Sequence, residues 1–186
     1  MTATLVALHV IAAVIWVGGM FFAYIVLRPS AGPLDPPLRL ALWQRVFSRF
    51  FPWVWASVVV LLATGYAMLI LRFGGFRTAP LHVNVMQLSG IVMMMLFLHL
   101  FLAPWRRFSH AVHSKAFAEA AMELNQIRLI VAINLVLGLI TIIAGASGRF
   151  WLEARTVFVR RSGSAVIRDR RLWACREPRA PSPGTQ

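Results

Sequence analysis

Charged residues are scarce in this sequence, and acidic ones most of all. Asp, Glu, Lys and Arg make up 13% of the 186 residues, only six residues are acidic, and hydrophobic residues make up 59%. Soluble domains carry roughly 25% charged residues, mostly on the surface that faces water. The composition therefore excludes a water-soluble domain and indicates that lipid covers most of the protein.

Cysteine is nearly absent as well, because Cys175 is the only one. A single thiol allows no intramolecular disulfide and no metal motif built from cysteine pairs. The apolar part of the chain also contains no nucleophile beside a base, no glycine-rich phosphate loop and no paired carboxylates. Hydrolytic catalysis is therefore not expected.

The basic residues are arginines with one exception, and they give a net charge of +13. Nine of the 19 follow Gly148, in a segment that is also rich in Ser, Gly and Pro. No motif that reads DNA or RNA accompanies them, so no nucleic-acid partner is expected. This segment is either simply solvated or lies on anionic lipid headgroups, where each basic residue contributes about 1 kcal/mol.

Four long runs contain no charged residue at all: 1–27, 50–71, 78–105 and 129–148. The shortest has 20 residues, which at about 1.5 Å per residue span the ~30 Å hydrocarbon layer as a helix. Helices are expected because backbone groups that face lipid find no water to bond. The sequence predicts an all-α integral membrane domain over residues 1–150, with spans near 4–27, 50–71, 80–104 and 129–148. A basic, mostly disordered tail is expected over residues 151–186.

The four helices are expected to form an up-down-up-down bundle in the lipid bilayer. Residues 38–51 and 108–126 combine aromatic or apolar side chains with charged ones. Segments of this kind lie well at a membrane surface, so both are expected to form short interfacial helices.

Histidines open the first and the third run, as His9 and His82. The first and third helices of such a bundle run parallel, so both histidines are expected near the same membrane face. An ionisable residue inside a membrane is costly, and function is the default explanation for it. Two neutral imidazoles on facing helices are what bis-histidine ligation of haem b requires. The alternative is that both side chains reach headgroups or backbone carbonyls at the interface.

The first helix also offers a surface on which a flat ring could lie. At 100° per residue, His9, Ala13, Trp16 and Met20 share one stripe, and small residues beside it thin the helix. Trp16 is therefore grouped with His9 among the expected cofactor-binding residues.

On the third helix, His82 shares its stripe with Met86 and Met93. Imidazole and thioether groups suit Cu(I), so these three residues with His9 form an alternative metal site. Methionine also fills gaps in ordinary apolar packing. His99 lies 17 residues beyond His82, roughly 25 Å along the axis, and cannot share a metal with it. It either belongs to a second site at the opposite face or lies at the helix end.

The fourth helix carries small and polar residues on one side, within about 60° of each other: Asn134, Gly138, Thr141 and Gly145. Small residues at this spacing let membrane helices approach closely. This stripe is predicted to be a helix interface and not a ligand site.

Several short segments resemble the copper-resistance D (CopD) membrane family and its relative, the HemJ-type protoporphyrinogen oxidase. They occur in the expected order and cover roughly residues 5–148: Ala7-Leu8-His9, Trp16-Val17-Gly18-Gly19, Leu81-His82-Val83-Asn84, Leu98-His99-Leu100 and Leu124-Asn125-Gln126.

The resemblance implies a four-helix core that binds haem b, with His9 as first ligand and His82 as second. Asn84 and Gln126 stand where the HemJ pattern has Lys and Glu. Both charged groups of that oxidase are thus missing, and an oxidoreductase activity stays open. The CopD branch implies copper uptake across the bacterial inner membrane.

Three functions are therefore carried forward from the sequence. The leading one is a haem b protein that transfers electrons, alone or as an accessory subunit of a larger membrane redox complex. The second is copper transport along His82, Met86 and Met93. The third is a structural accessory subunit whose histidines lie at the interface.

Overall fold

The computed structural model describes residues 2–75 and 79–174, and this part of the chain is helical without any β-strand. The elements follow in the order α1 (Thr2–Phe21), a π-helix (Phe22–Leu27), α2 (Arg28–Ser30), α3 (Pro36–Phe73), α4 (Leu81–Leu102), α5 (Pro104–His113) and α6 (Phe117–Ala174). Within the described residues, four stretches are long and apolar enough to cross a membrane: Ala3–Ser30, Pro36–Arg72, Leu81–His113 and Phe117–Gly148. The predicted all-α membrane class with four spanning helices is confirmed.

Contacts between side chains give the direction of each helix. On α1 and α3, His9 bonds to Thr64 and Gly19 lies against Phe50, so the two helices run antiparallel. On α4 and α6, Ser89 bonds to Thr141. The Met86–Gly145 contact lies on one side of that bond and the Met93–Gly138 contact on the other, so this pair is antiparallel too.

Aromatic rings fill the bundle near one end. Phe97 of α4 meets Trp16 of α1 and both Phe51 and Trp55 of α3 edge to face, with ring centroids 5.3–6.1 Å apart. Lipid is as apolar as these rings, so burial alone does not drive the helices together in the membrane. Edge-to-face pairs contribute roughly 0.5–1.5 kcal/mol each beyond burial, and this cluster therefore helps to fix the order of the helices.

The expected interfacial helix over residues 38–51 is not a separate element. It forms the first part of α3, and Pro52 lies inside the continuous helix. Proline removes one backbone donor, but neighbouring groups in a membrane bundle satisfy the freed carbonyl, so the helix continues. The second expected surface segment is divided, because α5 ends at His113 and α6 begins at Phe117 after Lys115, whose φ is 57°. The short helix α5 remains as a separate element.

Residue contacts define two compact units, Met1–Ala146 and Ser147–Gln186. Every side-chain interaction discussed below belongs to the first. In the second, helix α6 continues to Ala174, and residues 175–186 lie outside the described part of the chain. The boundary at residue 150 and the disorder of the tail stay predictions.

Candidate functional site

His9 is held in one orientation by the second spanning helix. Its Nδ1 lies 2.8 Å from the Thr64 hydroxyl, and that hydroxyl lies 2.6 Å from the carbonyl oxygen of Val60. The hydroxyl has one hydrogen, and donating it to Val60 leaves the oxygen to accept from Nδ1–H. A neutral His9 then carries its free lone pair on Nε2, where it is available to a metal ion.

The His9 ring lies close to the backbone of α3 at Gly65. A Cβ at Gly65 would be 3.4 Å from Cε1 of the ring and 3.9 Å from Nδ1. Further along the same interface, a Cβ at Gly19 would overlap the ring of Phe50. Small residues therefore bring α1 and α3 together at both ends of their contact, as expected of membrane helices.

Met86 and Met93 lie between α4 and α6, on the predicted small-residue stripe. A Cβ at Gly145 would be 2.8 Å from the Met86 methyl and 3.2 Å from its sulfur. A Cβ at Gly138 would be 3.2 Å from the Met93 methyl, and the Asn134 side chain donates to the Met93 carbonyl oxygen at 3.2 Å. The stripe on α6 is a helix interface, as predicted, and both thioethers are part of it.

His9 and Met86 lie at nearly the same depth in the bundle. Val17 of α1 and Met93 of α4 both lie against Gly138, which places these two residues at one level. His9 precedes Val17 by eight residues, and Met86 precedes Met93 by seven. Because α1 and α4 run in the same direction, the 1.5 Å rise per residue puts His9 and Met86 within about 2 Å of one depth.

His82 lies at the same face of the bundle but nearer the helix start. It precedes Met93 by 11 residues, three more than separate His9 from Val17. The difference places His82 about 4.5 Å outside the level of His9. Its side chain is half-buried.

The remaining predicted residues lie elsewhere. Trp16 is buried two turns below His9 and meets Phe97 edge to face at 6.1 Å, so it is part of the aromatic packing. His99 is exposed in the last turn of α4, where its carbonyl accepts the Ala103 amide. The helix thus carries His99 far from His9 and from Met86, as the sequence spacing requires.

No group of three or more His, Cys, Asp or Glu side chains that could hold a metal is found among the described residues. Methionine, whose thioether sulfur can also bind a metal, is not one of these four residue types. Imidazole nitrogen and thioether sulfur are ligand types that suit a soft ion such as Cu(I).

Two residues beside His9 were missed at the sequence level, Thr64 and Gly65. The signal for them is a hydroxyl next to a glycine near the end of an otherwise apolar run. Such pairs also arise from packing alone, and only the helix register shows that this one lies beside the histidine.

The described residues define a multi-pass α-helical membrane protein with an oriented imidazole and two thioethers inside the bundle. The family model for Copper resistance protein D matches residues 44–147. A relative in Aquifex aeolicus (strain VF5), described as "Uncharacterized protein", is 31% identical over 130 residues, which are 69% of this chain and 86% of the relative. No solved structure matches the chain.

The chain belongs to the Copper resistance protein D family, and the resemblance to that family noted in the sequence is thereby confirmed. His82, Met86, Met93 and His99 fall inside the matched range, whereas His9 precedes it. Trp16 precedes it as well.

Proposed function

We propose that this protein binds Cu(I) inside the bilayer and moves it across the bacterial inner membrane. The observation that carries the proposal is the common depth of His9 and Met86, with Met93 two helical turns further in. The family name supports copper as the cargo. His82, about 4.5 Å outside His9, is the residue that an ion entering from this face would meet first.

Cu(I) prefers the ligands that these residues supply. Imidazole nitrogen and thioether sulfur are soft, and neither adds a charge that the membrane interior would penalise. The Thr64 hydroxyl fixes the tautomer that leaves Nε2 of His9 free, which is the usual task of an outer partner of a metal-binding histidine.

The two methionines offer successive positions along α4. They are seven residues apart, about 10.5 Å along the axis, and both lie against glycines of α6. The methionine side chain is flexible enough to change rotamer without moving the helix. An ion bound by Met86 and His9 is therefore expected to pass inward towards Met93.

Methionine substitutions test this path directly. We expect Met86→Leu and Met93→Leu each to lower the Cu(I) affinity of the purified protein by about tenfold or more. Leucine keeps the volume and removes the sulfur. The affinity is measured by competition with a coloured Cu(I) chelator, and transport by copper uptake into proteoliposomes.

Met95→Leu is the matched control, because Met95 lies on the same helix and is 60% exposed. Its substitution should leave both affinity and uptake unchanged. If all three variants behaved alike, the methionines would be packing residues only.

The outer partner of His9 gives a second test. Thr64→Val keeps the shape of the side chain and removes the hydroxyl that accepts from Nδ1–H. We expect the Cu(I) affinity to fall by roughly 10–100-fold, as for other outer partners of metal ligands. Thr141→Val, the same change on α6 where the hydroxyl bonds to Ser89, should have no such effect. Equal affinities of the two variants would contradict the role of Thr64.

Haem b is the second candidate, and the free Nε2 of His9 with the small Gly65 beside its ring favours it. His9 and His82 would be the axial ligands, and the haem would supply one-electron transfer, alone or within a larger membrane redox complex. Asn84 and Gln126 stand where an oxidase of the HemJ type has Lys and Glu. A reduced-minus-oxidised spectrum with a b-type band that is lost in His9→Ala and His82→Ala would establish this candidate over copper.

A further inference from the structure

A pocket unrelated to His9 lies at the opposite end of the bundle, where α1 ends and α3 begins. We call it the arginine pocket. It is lined by Ala23, Tyr24, Arg28, Trp43, Phe47, Arg128 and Val131.

The wall that follows α1 has an unusual backbone. Residues 22–27 form a π-helix, in which the Arg28 amide donates to the carbonyl oxygen of Ala23. The wider turn positions Ala23, Tyr24 and Arg28 along the pocket. π-helical turns are rare and occur often at functional sites, because the extra residue costs stability.

Each of the two arginines of the pocket makes a cation–π contact with an aromatic ring. The Arg28 guanidinium lies 5.0 Å from the centre of the Tyr24 ring, and that of Arg128 lies 5.4 Å from the Trp43 ring. A cation–π contact of this kind holds a guanidinium near the ring and uses none of its N–H donors in a hydrogen bond. Neither arginine has a carboxylate within ion-pair distance among the described residues.

Two donor groups of residues that line the pocket are buried without a partner. Trp43 is 1% exposed, and its Nε1–H has no hydrogen-bond acceptor; nor has Nε–H of Arg128. An indole N–H and a guanidinium can only donate hydrogen bonds. The group that is missing beside them is therefore a hydrogen-bond acceptor. A buried donor without a partner costs roughly 1–3 kcal/mol, which a bound acceptor would recover.

The charges in this region point to the same kind of ligand. Arg28 and Arg128 both line the pocket, and each carries a positive charge. Like charges held together at the edge of a low-dielectric bundle are stabilised by an anion between them. Phosphate fits best, since its several oxygens can accept from an arginine fork and from the indole at once.

We propose that the arginine pocket binds a phosphate group. The pocket is at the end of a membrane span, where the headgroups of acidic phospholipids lie. Inorganic phosphate is the other possible source of the phosphate group. The ligand is held by Arg28, Trp43 and Arg128, and it anchors the ends of α1, α3 and α6 to one another.

Native mass spectrometry of the full chain in detergent tests the proposal with three probes: phosphatidylglycerol, phosphatidylcholine and inorganic phosphate. We expect one molecule of phosphatidylglycerol to stay bound in preference to phosphatidylcholine. Arg128→Gln removes the charge of the more buried of the two arginines that line the pocket and should weaken this binding roughly 10–100-fold, as expected for a charged hydrogen bond. Trp43→Phe keeps an aromatic ring, removes the indole donor and should weaken it several-fold.

Arg106→Gln is the matched control, because Arg106 is exposed on α5 at the same side of the membrane and does not line the pocket. Its lipid binding should equal that of the unchanged protein. Binding of inorganic phosphate, lost in the same two variants, would support the site with free phosphate as its source. Equal retention of phosphatidylglycerol by all four proteins, with no phosphate binding, would overturn the proposal. If Arg128→Gln does not fold, Trp43→Phe and Arg28→Gln decide in its place.

Discussion

His9→Ala is expected to abolish measurable Cu(I) binding by this protein. The substitution removes the oriented imidazole at the level of Met86 and leaves the Thr64 hydroxyl without its partner. Loss of an outer partner lowers metal affinity roughly 10–100-fold, and loss of the ligand itself should cost more. Chelator competition on the purified protein measures the affinity, and copper uptake into proteoliposomes should fall in parallel.

His99→Ala serves as the control for this experiment. His99 is an exposed histidine of α4, far along the helix from Met86. The change removes one imidazole from the protein without touching the bundle interior, so affinity and uptake should be unchanged. Equal loss in both variants would mean that copper binds exposed histidines non-specifically, and the assignment of His9 would be wrong.

Gly138→Ala is expected to destabilise the bundle by about 1–3 kcal/mol, the usual cost of overpacking. The new methyl would lie 2.8 Å from Val17 and 3.2 Å from Met93. Val17 is buried and its branched side chain has few rotamers, so it cannot move aside cheaply. The free energy of unfolding is measured by titration of the detergent-solubilised protein with sodium dodecyl sulfate.

Two further variants separate overpacking from a general effect of alanine. Gly90→Ala adds the same methyl on α4, where the nearest atom is the flexible end of Met94 at 3.9 Å, and it should be neutral or stabilising. Val17→Ala in the Gly138→Ala background makes room for the methyl and should restore part of the lost stability. If Gly90→Ala were as damaging as Gly138→Ala, close contact at Gly138 would not be the cause.

The four spans could be predicted from the sequence because hydrophobicity alone determines them. Runs of 20 or more residues without charge must be helices in lipid, whatever their neighbours are. The prediction for residues 38–51 was wrong about their separation from the span, since their mixture of aromatic and charged residues suggested a surface helix. A membrane bundle tolerates such a proline, and α3 continues through it.

The interface on α6 was also readable from sequence. The spacing of Asn134, Gly138, Thr141 and Gly145 places them on one side of a helix, and small residues on a membrane helix mark close packing. The contacts with Val17, Met86, Ser89 and Met93 confirm this interpretation.

The surroundings of His9 could not be predicted, because they depend on how far the helices are shifted along one another. Thr64 is 55 residues away in sequence, and a shift of one turn would remove it from the ring. The relative position of the helices along their axes also determines that Met86 lies at the depth of His9, whereas His82 does not. Similarly, the cation–π contact of Arg128 with Trp43 joins two distant segments, and neither residue suggests the other.

The most direct test of the copper assignment is to determine the metal content and record the reduced-minus-oxidised absorption spectrum of one sample, purified in detergent from cells supplied with both copper and haem. The account predicts about one copper per chain and no b-type band. Iron at about one per chain with a b-type band and no copper would contradict it and would establish haem ligation by this bundle instead.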